Sequence, residues 1–296
     1  MIHPRYRPMI DDARQRPALW RLILGGVTIL AMLILWTIGI IAVRTLVEGR
    51  RFVDTAAETL TLGQPTPQQT IYILLIVAGM GFGTLIAARL WQGRSARSLI
   101  GPGARTLRHS AIAAGVTFLV LTVVTLAFLP FSEPVARAIP VATWLAWLPI
   151  AVFALILQTG GEELLFRGYL QSQLAARFRS PLVAVAVPSL LFGLAHVAPD
   201  FPLISVATYI AIAAMFGVLA ADLTFRTGSL GAAWGFHFAN NAMIILFIAP
   251  AGDLGGLALW QTPTDPTAQT LASPLVTLEI AVLVAIWFLI RRALRV

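Results

Sequence analysis

The sequence predicts an all-α membrane protein, a polytopic bundle of about eight transmembrane helices with both termini in the cytoplasm, and three observations predict it. Of the 296 residues, 58% are hydrophobic and 11% charged, with a mean hydropathy of +0.84, whereas soluble domains carry about 25% charged residues. Long uncharged runs recur along the chain at lengths near what a bilayer requires. The basic residues are all arginine, 21 of them, and they are distributed asymmetrically between successive loops.

Residues 1–21 are polar and carry Arg5, Arg7, Arg14, Arg16 and Arg21. The uncharged run Leu22–Val43 that follows is too long for a signal-peptide core and no small-residue cleavage site succeeds it, so it is expected as an uncleaved first span. Further apolar runs lie at 71–88, 111–132, 138–161, 180–198, 201–222, 227–250 and 272–290. With the N-terminus inside, every arginine except Arg44, Arg50, Arg51 and Arg137 falls on the cytoplasmic side, and the positive-inside rule then places both termini there. The chain divides into a region 1–137 with three spans, a core 138–250 with four, and an outer loop with the last span, 251–296.

Composition also excludes functions. There is no cysteine, hence no disulfide, thiolate ligand or thiol nucleophile. The formal charge of +8 does not indicate nucleic acid, because no arginine cluster is interleaved with stacking aromatics or carried on a soluble module. Gly79, Gly81 and Gly83 suit close helix packing, and Pro188 is expected to kink its helix. Asp222 and Glu279 fall near span ends and read as boundary residues.

Polar residues inside the apolar runs are the candidates for function, since ionisable groups are costly in a membrane. Glu162 and Glu163 close the run 138–161, and Glu163 and Arg167, four apart, can pair along one helix face while Glu162 points about 100° away. His196 and His237 lie within later runs, and Asn241 sits one turn beyond His237 on the same face. If the helices through Glu162 and His196 form an antiparallel hairpin turning near residue 179, residues whose numbers sum to 358 lie at one depth. Glu162 and His196 then face each other at one level. The amphipathic segment 167–179 is expected to project from the bilayer, and the site to open toward the cytoplasm.

A carboxylate, two imidazoles and a carboxamide walled by helices have the parts to activate water, the carboxylate as general base and the others orienting water or stabilising an oxyanion. The set Glu162, His196 and His237 could instead hold zinc with an open position. The sequence does not choose between a zinc-dependent and a cofactor-free site. A transporter or a nonenzymatic scaffold is the alternative class, although no repeat between halves is visible. Two histidines could also serve as haem ligands, which leaves both glutamates unexplained.

The chain resembles the CPBP intramembrane endopeptidases, which include the type II CAAX prenyl proteases and the abortive-infection proteins. Three motifs carry the resemblance, in the family's order: Glu162-Glu163 with Arg167, Phe192 with His196, and His237 with Asn241. The resemblance covers roughly 140–250, marking 138–250 as the catalytic core, and implies a hydrolase acting on a membrane-associated protein or peptide. It implies that Glu162 is the base, that His196 helps to hold the water, and that His237 with Asn241 forms an oxyanion site. Glu163 and Arg167 would be mainly structural. Location in a bacterial cytoplasmic membrane follows, in contact with the lipid bilayer; a prenylated substrate does not, because some members act where no CAAX processing exists.

Overall fold

The computed structural model describes all residues except 1–2, 61–65, 132–133, 179, 198–200, 251–254 and 264. Its helices are α1 (Arg7–Arg14), α2 (Leu19–Glu48), α3 (Phe52–Leu60), α4 (Pro67–Ala87), α5 (Ala96–Ile100), α6 (Gly103–Phe128), α7 (Val141–Glu163), α8 (Ser172–Arg177), α9 (Pro181–Leu194), α10 (Leu203–Thr227), α11 (Gly231–Ala242) and α12 (Pro274–Leu294). Three short strands, β1 (Ala136–Arg137), β2 (Ile248–Pro250) and β3 (Trp260–Thr262), form a small sheet in the order β1-β3-β2 at one end of the bundle. The all-α membrane bundle stands as expected. Lipid-facing stripes are plain: Ile23, Val27, Leu30, Ile34 and Ile38 are exposed along one side of α2 at helical spacing.

The number of spans is corrected. Among the described residues, 6 helical stretches are long and apolar enough to cross a membrane: Leu19–Glu48, Pro67–Gln92, Gly103–Phe131, Val141–Arg177, Leu203–Thr227 and Pro274–Leu294. The expected spans at 180–198 and 227–250 are shorter helices. The 14 residues of α9 rise about 21 Å against a hydrocarbon core of about 30 Å. The 12 residues of α11 pass into a π-helical turn at Met243–Phe247. Half-length elements survive at membrane depth when protein rather than lipid surrounds them. Most of α11 is buried, and it crosses α6 so closely that Gly231 and Gly235 lie against the backbone of Thr106 and Ser110.

Val141–Arg177 is the longest of the six, 37 residues. It runs through α7, a π-helical stretch Leu164–Gln171 and α8 without a break. At roughly 1.5 Å per residue it is longer than a bilayer's hydrocarbon core is thick, and it ends in α8. That end is not free, however: Leu174 and Ala175 are buried against Tyr6, Met9 and Ile10 of the N-terminal segment. Arg94, itself buried, ties the same region together through Ser172 Oγ (2.6 Å) and the Met9 carbonyl (3.2 Å).

Both termini lie at this end of the bundle. Gly228, with φ +64°, packs against the Arg5 carbonyl where a side chain would collide. Arg226 pairs with Asp222 at 2.8 Å, and Trp287 Nε1 on α12 donates to the same carboxylate at 3.0 Å. Asp222, read from sequence as a boundary residue, therefore fastens α12 to α10.

Candidate active site

The glutamate pair is positioned by a crossing of α7 with α4. A Cβ on Gly81 would stand 2.8 Å from Gly161 Cα, so only glycine on both helices permits this spacing immediately before Glu162. On the other side Gly160 accepts the indole of Trp234 from α11, and Trp234 Nε1 donates to Thr159 Oγ1 at 3.2 Å. Three helices thus meet within one turn of the two acids.

Both acids engage His237. Arg167 Nη1 donates to Glu163 Oε1 at 2.9 Å, and the same oxygen lies 2.9 Å from His237 Nδ1. Glu163 and Arg167 are 0% and 1% exposed, and the Arg167 guanidinium lies over the Phe192 ring, 4.4 Å from its centroid. On the other edge of the imidazole, His237 Nε2 is 3.5 Å from Glu162 Oε2 and 3.3 Å from Asn241 Nδ2. The expected Glu163–Arg167 pair forms. The expected freedom of Glu162 is only half right, because Gln158 Nε2 donates to its Oε1 at 2.8 Å. Glu162 Oε2, Glu163 Oε2 and Arg167 Nη2 are buried with no hydrogen-bond partner among the described residues.

Gln158 escaped the sequence reading. Its carbonyl accepts from Asn241 Nδ2 at 3.3 Å, so it joins Glu162 to Asn241 across two helices. The signal was there: it is an amide one turn before Glu162 in an otherwise apolar run.

His196 stands apart from this cluster. It lies in the turn after α9, exposed, with Nδ1 2.7 Å from the Phe192 carbonyl and its ring 4.6 Å from the Phe192 ring. Phe192 in turn contacts His237, ring centroids 5.7 Å apart. The hairpin register is as expected, since Phe166 and Phe192, whose numbers sum to 358, pack edge to face at 5.1 Å; the turn at 179 lies outside the described residues. Glu163 and Arg167 are buried within the cluster, whereas His196 is exposed and Asn241 half-buried.

Among the described residues no group of three or more histidine or acidic side chains is disposed to hold a metal ion. The zinc set Glu162, His196 and His237 is thus not assembled here. One nitrogen of His237 faces Glu163 and the other faces Asn241 and Glu162, while His196 sits beyond Phe192. The same engagement of both nitrogens leaves His237 poorly suited to bind haem.

Compared with known proteins, residues 142–243 match a family model described as type II CAAX prenyl endopeptidase Rce1-like. A stretch of 113 residues is 33% identical to the uncharacterized protein YyaK of Bacillus subtilis (strain 168), covering 37% of this chain and 37% of that protein. The chain thus spans little more than a third of the relative it matches. All the clustered residues, from Gln158 to Asn241, fall within the matched segment. Residues 142–243 of this integral membrane protein are thus similar to the Rce1-like type II CAAX prenyl endopeptidases, consistent with the CPBP family.

Proposed function

We propose that the protein is an intramembrane endopeptidase that hydrolyses a peptide bond of a membrane-associated protein or peptide, with Glu162 as the base. One observation carries the reading: Glu162 Oε2 is buried, makes no hydrogen bond within the described protein, and lies 3.5 Å from His237 Nε2. A carboxylate oxygen so placed takes a proton from a water that attacks a carbonyl carbon. Its neighbour Glu163 has a different task, because Arg167 and His237 already occupy its Oε1. That acid neutralises the buried guanidinium and holds the imidazole in one orientation.

Asn241, held against His237, lines the side where the carbonyl oxygen would develop charge, and the exposed His196, whose Nδ1 is bonded to the Phe192 carbonyl, has an Nε2 with no partner among the described residues that can hold the water. No step is assigned to a metal. The substrate reaches the site from the flank bearing His196 and Asn241. The membrane is placed as a bacterial cytoplasmic one, and arginine placement supports both termini on its inner side.

The test is to incubate purified protein with membrane proteins in detergent or liposomes and identify new N-termini, with Glu162→Ala protein as the comparison. Fragments produced by the native protein and absent with the variant are expected. Identical fragment patterns from the two preparations would remove Glu162 from the chemistry.

A further inference from the structure

We propose that Gln158 is a positioning residue that sets the hydrogen-bond direction of the whole cluster, fixing both the carboxylate of Glu162 and the tautomer of His237. The proposal rests on the reading of Glu162 as the base. Its geometry stands independently of that reading.

The direction of each bond follows from the one before it. Glu162 Oε1 can only accept when ionised, so the group 2.8 Å away must be the Gln158 amide nitrogen and not its oxygen. The Gln158 oxygen is thereby turned to Asn241 and requires a donor, so the Asn241 nitrogen faces it, at 3.3 Å. An amide nitrogen carries two hydrogens. With one spent on Gln158, the other points to His237 Nε2 at 3.3 Å, and that nitrogen must accept.

The second chain starts from the opposite side and reaches the same answer. Glu163 Oε1, paired with Arg167, accepts from His237 Nδ1 at 2.9 Å, so Nδ1 carries the proton. Neutral His237 protonated on Nδ1 satisfies both chains at once, and no other protonation state does. Gln158 is the hinge of this arrangement, because it alone converts the acceptor character of Glu162 into a donor at Asn241. It is 6% exposed, so water does not readily replace it.

Two consequences concern the reaction. Gln158 holds Oε1 of Glu162, which leaves Oε2 as the oxygen that meets water. Its own carbonyl meanwhile occupies an Asn241 N–H, so a substrate carbonyl gains that donor only by displacing Gln158. The site is thus held poised until substrate arrives.

The test is ¹⁵N-histidine solid-state NMR on the full chain in liposomes. There are 4 histidines, and a His237→Gln sample assigns the signal. In the native protein His237 should show one protonated nitrogen, Nδ1, and one unprotonated nitrogen, Nε2. Gln158→Met keeps the length but loses both amide functions. It should lose the resonance of the unprotonated Nε2, because Asn241 is released and Nε2 takes up a proton shared with Glu162. Gln158→Glu still accepts from Asn241 and, sharing one proton with Glu162, still bonds to its Oε1, so it should keep the native signature. A residue that merely fills space would give the same spectrum in both variants. A native His237 protonated on Nε2, or an unchanged Gln158→Met spectrum, overturns the proposal. The native spectrum alone tests the relay should Gln158→Met fail to fold. Expected spectra from a protein that cleaves nothing would instead retire the protease reading and leave the positioning role standing.

Discussion

His237 Nδ1 lies 2.9 Å from Glu163 Oε1, and the adjacent Glu162 makes no such bond, its nearest oxygen standing 3.5 Å from the other ring nitrogen. On the proposed reading the two neighbouring carboxylates separate into a structural and a chemical role, and substitution should tell them apart. Glu163→Gln leaves the Arg167 cation buried without a counter-charge, an arrangement that costs about 3–5 kcal/mol. Thermal unfolding in detergent should show a clear loss of stability and folded yield. Glu162→Gln, whose Oε1 can still accept from Gln158, should keep its unfolding temperature within a few degrees while losing turnover. Equal destabilisation by the two changes would deny the division of labour.

Arg167 makes the complementary case. It is 1% exposed, bonded to Glu163 and packed over Phe192, so Arg167→Ala removes a charge, a bond and a packing contact together. Folded yield should fall with activity. Normal yield and stability without turnover would move Arg167 into the reacting group.

The crossing at Gly81 and Gly161 should be equally sensitive. Alanine at Gly81 brings its Cβ to 2.8 Å from Gly161 Cα, and overpacking of this kind costs about 1–3 kcal/mol. Because the crossing lies next to Glu162, a shift of about 1 Å there should also cost roughly 10²-fold in turnover. Gly39, with nothing within 4 Å of its Cβ position, supplies the control, and Gly39→Ala should be neutral or slightly stabilising. Indifference to Gly81→Ala would show that the helices can part without consequence.

Much of the site was legible because membrane sequences advertise their polar residues. Glu162, Glu163, Arg167, His237 and Asn241 stand out against apolar runs, and helical spacing alone paired Glu163 with Arg167 and aligned His237 with Asn241. The hairpin arithmetic held at Phe166 and Phe192. What failed did so for physical reasons. Run length does not show where a helix stops within an apolar run, so it misjudged α9, which ends at Leu194, and α11, which ends at Ala242 and is mostly buried in protein. Gln158 was passed over because an uncharged amide can satisfy itself in many ways, and only the position of α11 reveals that it joins Glu162 to Asn241. Nothing in the run 167–179 announces that α1 packs on α8, since only the folded chain brings Tyr6, Met9 and Ile10 against Leu174 and Ala175.

Topology offers a test that needs no substrate. The absence of native cysteine makes single-cysteine labelling clean. Arg97, exposed on α5, and Thr262 in β3 lie at opposite ends of the bundle. Arg97→Cys should react with an impermeant thiol reagent only from the cytoplasmic side, and Thr262→Cys only from the outside. Labelling of residue 262 exclusively from the cytoplasm would invert the assignment and place both termini outside.

The last prediction concerns how the site residues combine. If Glu162, His196, His237 and Asn241 act as one hydrolytic unit, removing the base leaves the others little to assist, and their contributions cannot add. Glu162→Ala and His196→Ala should each abolish most turnover, and the double variant should be scarcely worse than Glu162→Ala alone. The pair is informative because, among the described residues, these two share no direct bond: His196 meets Phe192, which meets His237, and residues without shared partners normally add in free energy. Non-additivity would therefore report a common reacting water between them. Additive losses, each variant multiplying the effect of the other, would separate His196 from the chemistry and reduce it to a helix-end residue. Full turnover in folded Glu162→Ala protein, free of contaminating protease, would eliminate the base itself. Elemental analysis and chelation on the same preparation answer the metal question independently: stoichiometric zinc whose loss and return carry activity with them would require Phe192 to yield and bring His196 to Glu162.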